Sequence, residues 1–223
     1  WKGNFGKTYT PSTNLAPTDI SAVLVSGAHY GEEEANTKVV VPMMWGMIPP
    51  WHKGDYKAHG LSTNNCRLEG LTQSKLYGPA FRNGQRCVVL ADGFYEWQTV
   101  GPKNKIKTPY YIYLPQLEDT KNGWCEDNGW TGVRLLKLAG LFNVWTDENG
   151  EKIYSYSVIT IESNDMFSWL HHRMPVIFED DHDVDVWLNY KTYSNDEALK
   201  VLKPCSKLIW HEVDTMVNNS RNK

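Results

Sequence analysis

Short apolar and aromatic runs recur along the chain, and Gly, Pro and polar residues separate them. The run at 153–161, IYSYSVITI, alternates Ile and Ser with Tyr, Val and Thr, as a strand with two different faces does. The run at 87–90, CVVL, is typical of a strand that is buried on both sides. Pro42 lies in the predicted strand at 37–45 and favours a position at a sheet edge or at a bulge for that strand. The pattern predicts strands at 20–26, 37–45, 87–90, 94–97, 109–114, 135–145, 153–161 and 207–213.

The predicted helices are few and short. Ser194 and Glu197 have the spacing of a capping box, and Ser163 can cap a short helix. Gly78-Pro79 is expected to break the first of these helices, because proline removes a backbone donor. They are predicted at 71–82, 163–170, 181–190 and 194–202.

The order of these elements indicates the fold class. Strands follow one another directly, and the chain shows neither an internal repeat nor a low-complexity linker. This order is typical of an antiparallel α+β fold and not of βαβ units. We therefore predict a single domain, 1–223, of mostly antiparallel strands that form a distorted barrel-like core with a few short flanking helices.

The composition supports a packed core and limits the chemistry. Of the 223 residues 41% are hydrophobic, and the formal net charge is −3, so contact with DNA phosphates needs a local basic patch. No apolar run reaches the ~18 residues of a membrane span, and no signal peptide opens the chain, so we expect no membrane association. The cysteines are widely spaced and form no Cys-x-x-Cys pair, which predicts free thiols, no metal and no cofactor. They are Cys66, Cys87, Cys125 and Cys205.

Glu96 lies between Tyr95 and Trp97, directly after the apolar strand at 87–90. A carboxylate held between large aromatic side chains would be poorly solvated, which raises its pKa and suits it to proton transfer near neutral pH. On the local pattern by itself, a simpler interpretation is favoured. In that interpretation Glu96 lies on the wet face of a strand edge and pairs with a lysine, since structural ion pairs also perturb carboxylates.

A second dense stretch, LHHRMP, carries His171, His172 and Arg173. Adjacent side chains do not share a face of a helix or strand, so the two histidines by themselves are not expected to hold a metal. One of them beside a buried carboxylate would make an acid/base pair; the alternative is a His that caps a preceding helix and a solvated neighbour. Arg173 either binds a phosphate or pairs with Asp180 or Asp181.

Asn65 and Arg67 are two residues apart, so they lie on one side of an extended segment. That spacing suits an amide that positions a substrate and a guanidinium that holds a phosphate, although Asn65 by itself is more simply a turn residue. Cys66 between them is expected to be buried and not nucleophilic. Trp51, at the end of the proline-stiffened turn GMIPPW, is either part of the core or a platform for base stacking.

These stretches, in this order, resemble the SRAP (SOS-response-associated peptidase) domain family, which includes abasic-site processing proteins and hydroxymethylcytosine-binding proteins. The run VVLADGFYEWQ is similar to the animal branch almost letter for letter. Six motifs in register, which span nearly the whole chain, carry the resemblance. They are NLAP at 14–17, WGMIPPW at 45–51, NCR at 65–67, ADGFYEW at 91–97, HHRMP at 171–175 and VNNSRN at 217–222.

The resemblance implies a protein that recognises an abasic site in single-stranded DNA, or at a junction of single and double strand, and crosslinks itself to the sugar aldehyde. In the family the nucleophile is a Cys at the mature N-terminus, whose α-amine forms an imine and whose thiol closes a thiazolidine ring. The peptidase name reflects autoproteolytic removal of the initiator Met. The resemblance further implies a nuclear monomer on chromatin at replication forks, with replication proteins bound through regions outside this chain.

The resemblance also implies roles for seven residues. Glu96 would act as general acid and base, His171 would assist sugar-ring opening and proton transfer, and Asn65 would hold the N-terminal residue or the sugar. The expected DNA contacts are Arg67 and Arg173 at phosphates, Trp51 stacked on a base, and Asn14 shaping the pocket floor.

One departure from the family matters. The family begins Met-Cys-Gly-Arg, whereas this chain begins at Trp1. We expect a few dozen residues, with the nucleophile, to precede Trp1, and we expect the chain as given to bind DNA without forming the ring. Two alternatives remain: a non-covalent reader of modified or single-stranded DNA, and a thiol peptidase. Against the peptidase, the sequence has no Gly-x-Ser-x-Gly motif and no obvious partner for Cys66.

Overall fold

The computed structural model describes residues 7–31, 37–100, 106–116, 124–125, 129–130 and 132–222. In these ranges the chain forms three helices: α1 (Tyr77–Arg82), α2 (Asp181–Leu188) and α3 (Asn195–Lys200). The strands are β1 (Ile20–Ser26), β2 (Lys38–Trp45), β3 (Asn65–Arg67), β4 (Arg86–Ala91), β5 (Gly93–Val100), β6 (Ile106–Tyr113), β7 (Trp124–Cys125), β8 (Gly129–Trp130), β9 (Leu136–Thr146), β10 (Lys152–Glu162), β11 (Arg173–Pro175) and β12 (Ile209–Glu212).

Five strands close into a barrel in the order β10–β2–β1–β4–β9, and β9 pairs back with β10. These pairings are antiparallel except for the short contact between β10 and β2. Closure is possible because β9 and β10 are each 11 residues long, so β10 can pair with both neighbours and still extend beyond them. The predicted α+β fold, mostly antiparallel with a distorted barrel-like core, is confirmed.

The extension of β10 carries two short strands, one on each side. Thr160 of β10 pairs with Arg67 of β3 in parallel and with Pro175 of β11 in antiparallel orientation. Because one strand residue has only two hydrogen-bonding edges, β3 and β11 lie on opposite sides of β10. This end of the barrel therefore brings together two stretches that are distant in sequence.

The barrel strands bury apolar side chains on both faces. One cluster takes alternate residues from all five barrel strands and fills the barrel: Val23, Val25, Val41, Met43, Cys87, Val89, Leu138, Phe142, Tyr156 and Val158. The intervening residues of β4 and β9, Val88 and Leu141 among them, pack outwards against Phe81 of α1 and Trp187 of α2. The predicted strand that is buried on both sides is thus observed in β4.

A second sheet, ordered β12–β6–β5, packs against the turn that follows β10. Trp169 of this turn contacts Tyr110 of β6 and Trp210 of β12, with ring centroids 5.1 and 5.3 Å apart. Gly93 begins β5 at a close approach, since a Cβ there would lie 2.4 Å from the Tyr111 ring. The contact between this sheet and the turn positions the candidate site.

Two local expectations were wrong. Gly78-Pro79 does not break α1 but lies in its first turn, where the missing N–H of proline has no intrahelical partner to lose. The expected helix after Ser163 is a series of hydrogen-bonded turns that begins at Asn164. The expectation for Pro42 fits: β10 pairs only with Met44 and Trp45 of β2, so within the described ranges β1 is the one strand that pairs with β2 at Pro42, as at a sheet edge.

The predicted capping box and three of the four predicted free thiols are observed. The capping box of Ser194 and Glu197 is formed at the start of α3. Cys66, Cys87 and Cys205 are buried free thiols, whereas the side chain of Cys125 lies outside the described part of the chain. Across the described ranges, no helix is long and apolar enough to cross a membrane, and no group of three or more acidic, His or Cys side chains could hold a metal ion.

Candidate functional site

Alternate residues of β5 face the turn between β10 and β11. Phe94 packs against Phe167 of that turn, with ring centroids 6.1 Å apart, and Gln98 Nε2 donates to the Trp169 carbonyl oxygen at 3.3 Å. Glu96 lies between Phe94 and Gln98 in the strand, so its side chain is on the same face. The acidic side chain that the sequence singled out is thereby directed at the turn that carries the two histidines.

The surroundings of Glu96 act on its carboxyl in both directions. Burial raises its pKa by disfavouring the charged form, and this effect is the largest. The Trp97 N–H, which donates to Oε1 at 3.1 Å, and the nearby His171 and His172 lower it. The net upward shift in pKa favours the protonated carboxyl, as a general acid near neutral pH requires. Among the described residues Glu96 forms no ion pair with a lysine, so the simpler interpretation does not hold.

His171 ends the turn that leads into β11. Its Nδ1 lies 3.0 Å from the carbonyl oxygen of Arg173 and 3.1 Å from the backbone nitrogen of Arg173. The His172 ring lies beside it, with centroids 4.4 Å apart, and is exposed. Because Nδ1 is engaged by the backbone, Nε2 of His171 is the nitrogen left for a substrate. The alternative of a His that caps a preceding helix is not realised, since turns precede it.

Asn65 and Arg67 project from β3 on the same, exposed side, as their spacing predicted. Among the described residues, neither side chain forms a hydrogen bond or ion pair, so the amide and the guanidinium can both meet a ligand. Cys66 between them is fully buried, and burial raises the pKa of its thiol to about 12. A thiol with such a pKa is almost entirely protonated at neutral pH, which makes it a poor nucleophile.

Arg173 is paired, but not with Asp180 or Asp181. Its Nη1 and Nη2 donate to the two carboxylate oxygens of Glu69 at 2.8 and 3.0 Å, and Nη2 also donates to the Thr160 carbonyl oxygen at 2.6 Å. Asp180 instead caps α2, and Asp181 pairs with Lys137 at 2.6 Å. The sequence interpretation did not single out Glu69 or Thr160. A signal was present for Glu69, an acidic residue two positions after Arg67.

Trp51 is not a core residue. Its side chain is 55% exposed at the tip of the GMIPPW turn, so the core alternative is wrong and the exposed ring is available for stacking. The turn is tied to the barrel by the Ile48 N–H, which donates to Ser155 Oγ at 2.9 Å. It is also tied to the segment before β3, because Trp45 Nε1 donates to the Asn64 carbonyl oxygen at 3.0 Å.

Asn14 holds the C-terminal segment. Its buried amide donates to the carbonyl oxygens of Val217 and Asn219 at 3.1 and 3.3 Å. The same two segments meet β5, since Tyr95 Oη donates to the Thr13 carbonyl oxygen at 3.0 Å and Trp97 Nε1 donates to Asn218 Oδ1 at 2.6 Å. Asn14 is therefore placed behind β5, where it supports the strand that carries Glu96.

Three of the six motifs, at 65–67, 91–97 and 171–175, supply the candidate chemical groups, which fall into two sets. One set comprises Glu96 and His171, which interact electrostatically. The other comprises Asn65, Arg67 and Arg173, which lie on the two strands that flank β10. The arrangement provides a proton donor, an imidazole, an amide and a guanidinium, which together suit reversible addition to a carbonyl on an anionic substrate.

The sequence matches the family model described as SOS response associated peptidase (SRAP) over residues 2–220. It is 42% identical to "Abasic site processing protein HMCES" from Xenopus tropicalis, with 100% of this chain and 67% of that protein covered. It is 38% identical to the protein of the same name from Rattus norvegicus, with 96% and 63% covered. The chain therefore spans about two thirds of the length of these vertebrate relatives.

More distant proteins share the same fold. "Abasic site processing protein YoaM" from Bacillus subtilis is 33% identical, with 96% of this chain and 82% of that protein covered. A crystal structure of a protein from Bordetella bronchiseptica superposes with a TM-score of 0.66 at 22% identity, covering 94% of this chain and 92% of that chain. At 22% identity, this structural similarity concerns the fold alone.

Proposed function

Because this chain belongs to the SOS response associated peptidase (SRAP) family, we propose that it processes abasic sites in DNA, as the names of its relatives indicate. In this proposal the protein recognises an abasic site in single-stranded DNA, or at a junction of single and double strand, and becomes covalently joined to it. The observation that carries the proposal is the electrostatic pairing of Glu96, whose pKa burial raises, with His171, together with the two exposed side chains of Asn65 and Arg67 on β3.

The proposed reaction needs a nucleophile upstream of Trp1, a Cys at the mature N-terminus of the whole protein. Its α-amine adds to the aldehyde of the opened sugar and loses water to form an imine. Its thiol then adds to the imine carbon while the nitrogen takes up a proton, which closes a five-membered thiazolidine ring. Removal of the initiator Met by autoproteolysis would expose this Cys.

Each proton transfer in this sequence has a candidate group. Glu96 donates a proton to the departing water and to the imine nitrogen, a role that its raised pKa favours. The Nε2 atom of His171 assists opening of the sugar ring, because Nδ1 is held by the Arg173 backbone. Asn65 holds the N-terminal residue or the sugar through its exposed amide. The buried, protonated thiol of Cys66 argues against a thiol peptidase that would use this residue.

We assign the DNA path to the two arginines that flank β10 and to the exposed ring of Trp51. Arg67 contacts a phosphate with an unpaired guanidinium, and Arg173 has one Nη1 N–H left for a second phosphate. Trp51 stacks on a base. The protein would act as a monomer in the nucleus, on chromatin at replication forks, and regions outside this chain would bind replication proteins.

The test uses the full-length protein with its native N-terminus and a single-stranded oligonucleotide that carries one abasic site. We expect an adduct that survives a denaturing gel, and no adduct with the undamaged oligonucleotide or after the N-terminal Cys is replaced by Ser. Folded protein that binds the abasic oligonucleotide without forming an adduct would instead establish the non-covalent reader.

A further inference from the structure

The Arg173 side chain crosses a strand. It starts on β11, on one side of β10, and its guanidinium reaches Glu69, which directly follows β3 on the other side. On the way Nη2 donates to both the carbonyl oxygen and Oγ1 of Thr160, at 2.6 and 3.3 Å. The bidentate pair with Glu69 has the planar geometry in which both guanidinium nitrogens are used. It therefore ties β3, β10 and β11 together.

The ion pair between Arg173 and Glu69 carries a desolvation cost on the Arg173 side. The Arg173 side chain is only 15% exposed, and its Nε is buried without a hydrogen bond to any described residue. The hydrogen bond from Arg173 lowers the pKa of Glu69, so the carboxylate stays ionised at neutral pH. Glu69 is 55% exposed, and an ion pair with a solvent-exposed partner contributes little to stability. A role in the adjacent site accounts better for its presence.

The Arg173 backbone offers the same nitrogen of His171 both a donor and an acceptor. When Nδ1 carries a proton it donates to the Arg173 carbonyl oxygen, and Nε2 is free to accept a proton. When Nδ1 is bare it accepts from the Arg173 N–H, and Nε2 carries the proton and can donate it. The N–H and the C=O of one residue, Arg173, thus anchor the imidazole as a base and as an acid.

We propose that Glu69 is a positioning residue: by clamping Arg173 across β10, it fixes the Arg173 backbone, whose N–H and C=O anchor the two tautomers of His171. The inference rests on the proposed function, in which opening of the sugar ring and its reversal require His171 to move protons in both directions. The charged or titratable groups that face His171 are Glu96 from β5, His172 beside it and Arg173 from β11.

The kinetic test compares Glu69→Gln with Glu148→Gln, which removes the same charge from the exposed turn between β9 and β10. Adduct formation by the full-length protein is followed at concentrations of abasic single-stranded DNA that saturate each variant, so that affinity does not enter. We expect the first-order rate constant to fall about 10-fold in Glu69→Gln, because the misplaced imidazole transfers protons less well. Glu148→Gln should keep the wild-type rate.

A spectroscopic test does not depend on adduct formation. The ¹⁵N chemical shifts of the imidazole nitrogens report the tautomer of each histidine, and they can be measured on this chain without DNA. We expect Glu69→Gln to shift the His171 resonances and to leave those of His29, in a different part of the barrel, unchanged. If the wild-type protein gives no adduct, the proposed function fails while this measurement still decides the role of Glu69.

Two results would overturn the inference. One is a Glu69→Gln protein with wild-type His171 resonances and a wild-type rate at saturating DNA, even if its DNA affinity changes. The other is a loss of rate that is matched by loss of the fold, seen as a lower thermal midpoint. For that case Glu69→Asp serves as the second variant, since it keeps the charge that pairs with Arg173. We expect folded Glu69→Asp to restore the rate. A folded Glu69→Asp protein with wild-type His171 resonances but a rate as low as that of Glu69→Gln would contradict the inference.

Discussion

The behaviour of Glu96 depends on two opposing influences on one carboxyl. Burial against β6 and the turn after β10 disfavours the carboxylate, while the Trp97 N–H and two histidines favour it. Burial is the larger effect, so the pKa rises. The Trp97 N–H and the two histidines offset only part of the rise in the pKa of Glu96. The carboxyl can therefore both donate and accept a proton, as a reversible reaction requires.

Replacing Glu96 by Gln should separate chemistry from binding. Gln keeps the size and one acceptor for the Trp97 N–H but cannot donate a proton, so we expect adduct formation and reversal to slow about 100-fold. DNA affinity, measured by fluorescence anisotropy, should change less than about 2-fold because no phosphate contact is lost. An equal loss of affinity and rate would instead make Glu96 a structural residue.

The role of Arg67 should be seen in the salt dependence of DNA binding. The guanidinium lies on the exposed side of β3, so Arg67→Ala removes a proposed phosphate contact without opening the core. We expect weaker binding and a slope of log K against log salt that is flatter by about 0.7, the value per phosphate on a single strand. Lys200→Ala, an exposed change at the end of α3, is the control and should keep the slope. An unchanged slope in Arg67→Ala would remove Arg67 from the DNA path.

At the scale of elements, β5 is supported from behind by two chain ends. The loop with Asn14 contacts Tyr95 of β5, and the segment 213–218 contacts Trp97 of β5 and Pro109 of β6. The two segments are joined to each other by Asn14 and Val217, which are 203 positions apart. The strand that carries Glu96 is thus held on one face by the turn after β10 and at its edge by the C-terminal segment.

We therefore expect Asn14→Ala to lower the stability of the protein without acting directly on the reaction. The change leaves two carbonyl oxygens without their donor, which costs about 1–3 kcal/mol. Urea denaturation measures this loss, and Asn83→Ala on the exposed end of α1 is the control, for which we expect less than about 0.5 kcal/mol. Wild-type stability in Asn14→Ala would show that the C-terminal segment is held by its other contacts.

At the scale of the whole molecule, a buried histidine links stability to pH. His29 stacks on Tyr190 with centroids 4.8 Å apart, and burial lowers its pKa. Because its folded pKa lies below the unfolded value, its contribution to stability is present above about pH 6.5 and is lost as the pH falls through the lowered value.

This linkage is measurable by urea denaturation between pH 7.5 and pH 5. We expect the wild-type free energy of unfolding to fall with pH more steeply than that of His29→Phe, by at most about 1.4 kcal/mol per pH unit. Phe keeps a ring on Tyr190 but cannot take up a proton. Parallel pH dependences for the two proteins would contradict the assignment. The ion pairs of Glu69 and Glu179, whose pKa values are lowered, should hold through this range.

The closed barrel and the second sheet should differ in stability. Every barrel strand is paired on both sides and packed into one cluster, whereas β5 and β12 are edge strands of the smaller sheet. Hydrogen exchange followed by mass spectrometry should therefore show slower exchange in β1, β4 and β9 than in β5 and β12. Equal protection of both sheets would indicate that they unfold as one unit.

The sequence determined those features that neighbouring residues specify. Short apolar and aromatic runs, with alternation at 153–161, located eight strands, because the burial of neighbouring side chains in a strand follows from the backbone itself. The capping box at Ser194 depends on contacts over three residues, and it formed as predicted. The exposed pair of Asn65 and Arg67 around a buried Cys66 also follows from strand geometry. Motifs in register then indicated the family and its candidate residues.

Tertiary structure decided the features that depend on distant partners. Arg173 pairs with Glu69, 104 residues away, and not with the nearby Asp180 or Asp181, because β3 and β11 come to lie on either side of β10 only when the barrel closes. Pro42 is tolerated in β2 because β10 stops short of it. The raised pKa of Glu96 likewise requires the turn after β10 to cover β5. Such partner choices are fixed by packing, which local sequence does not encode.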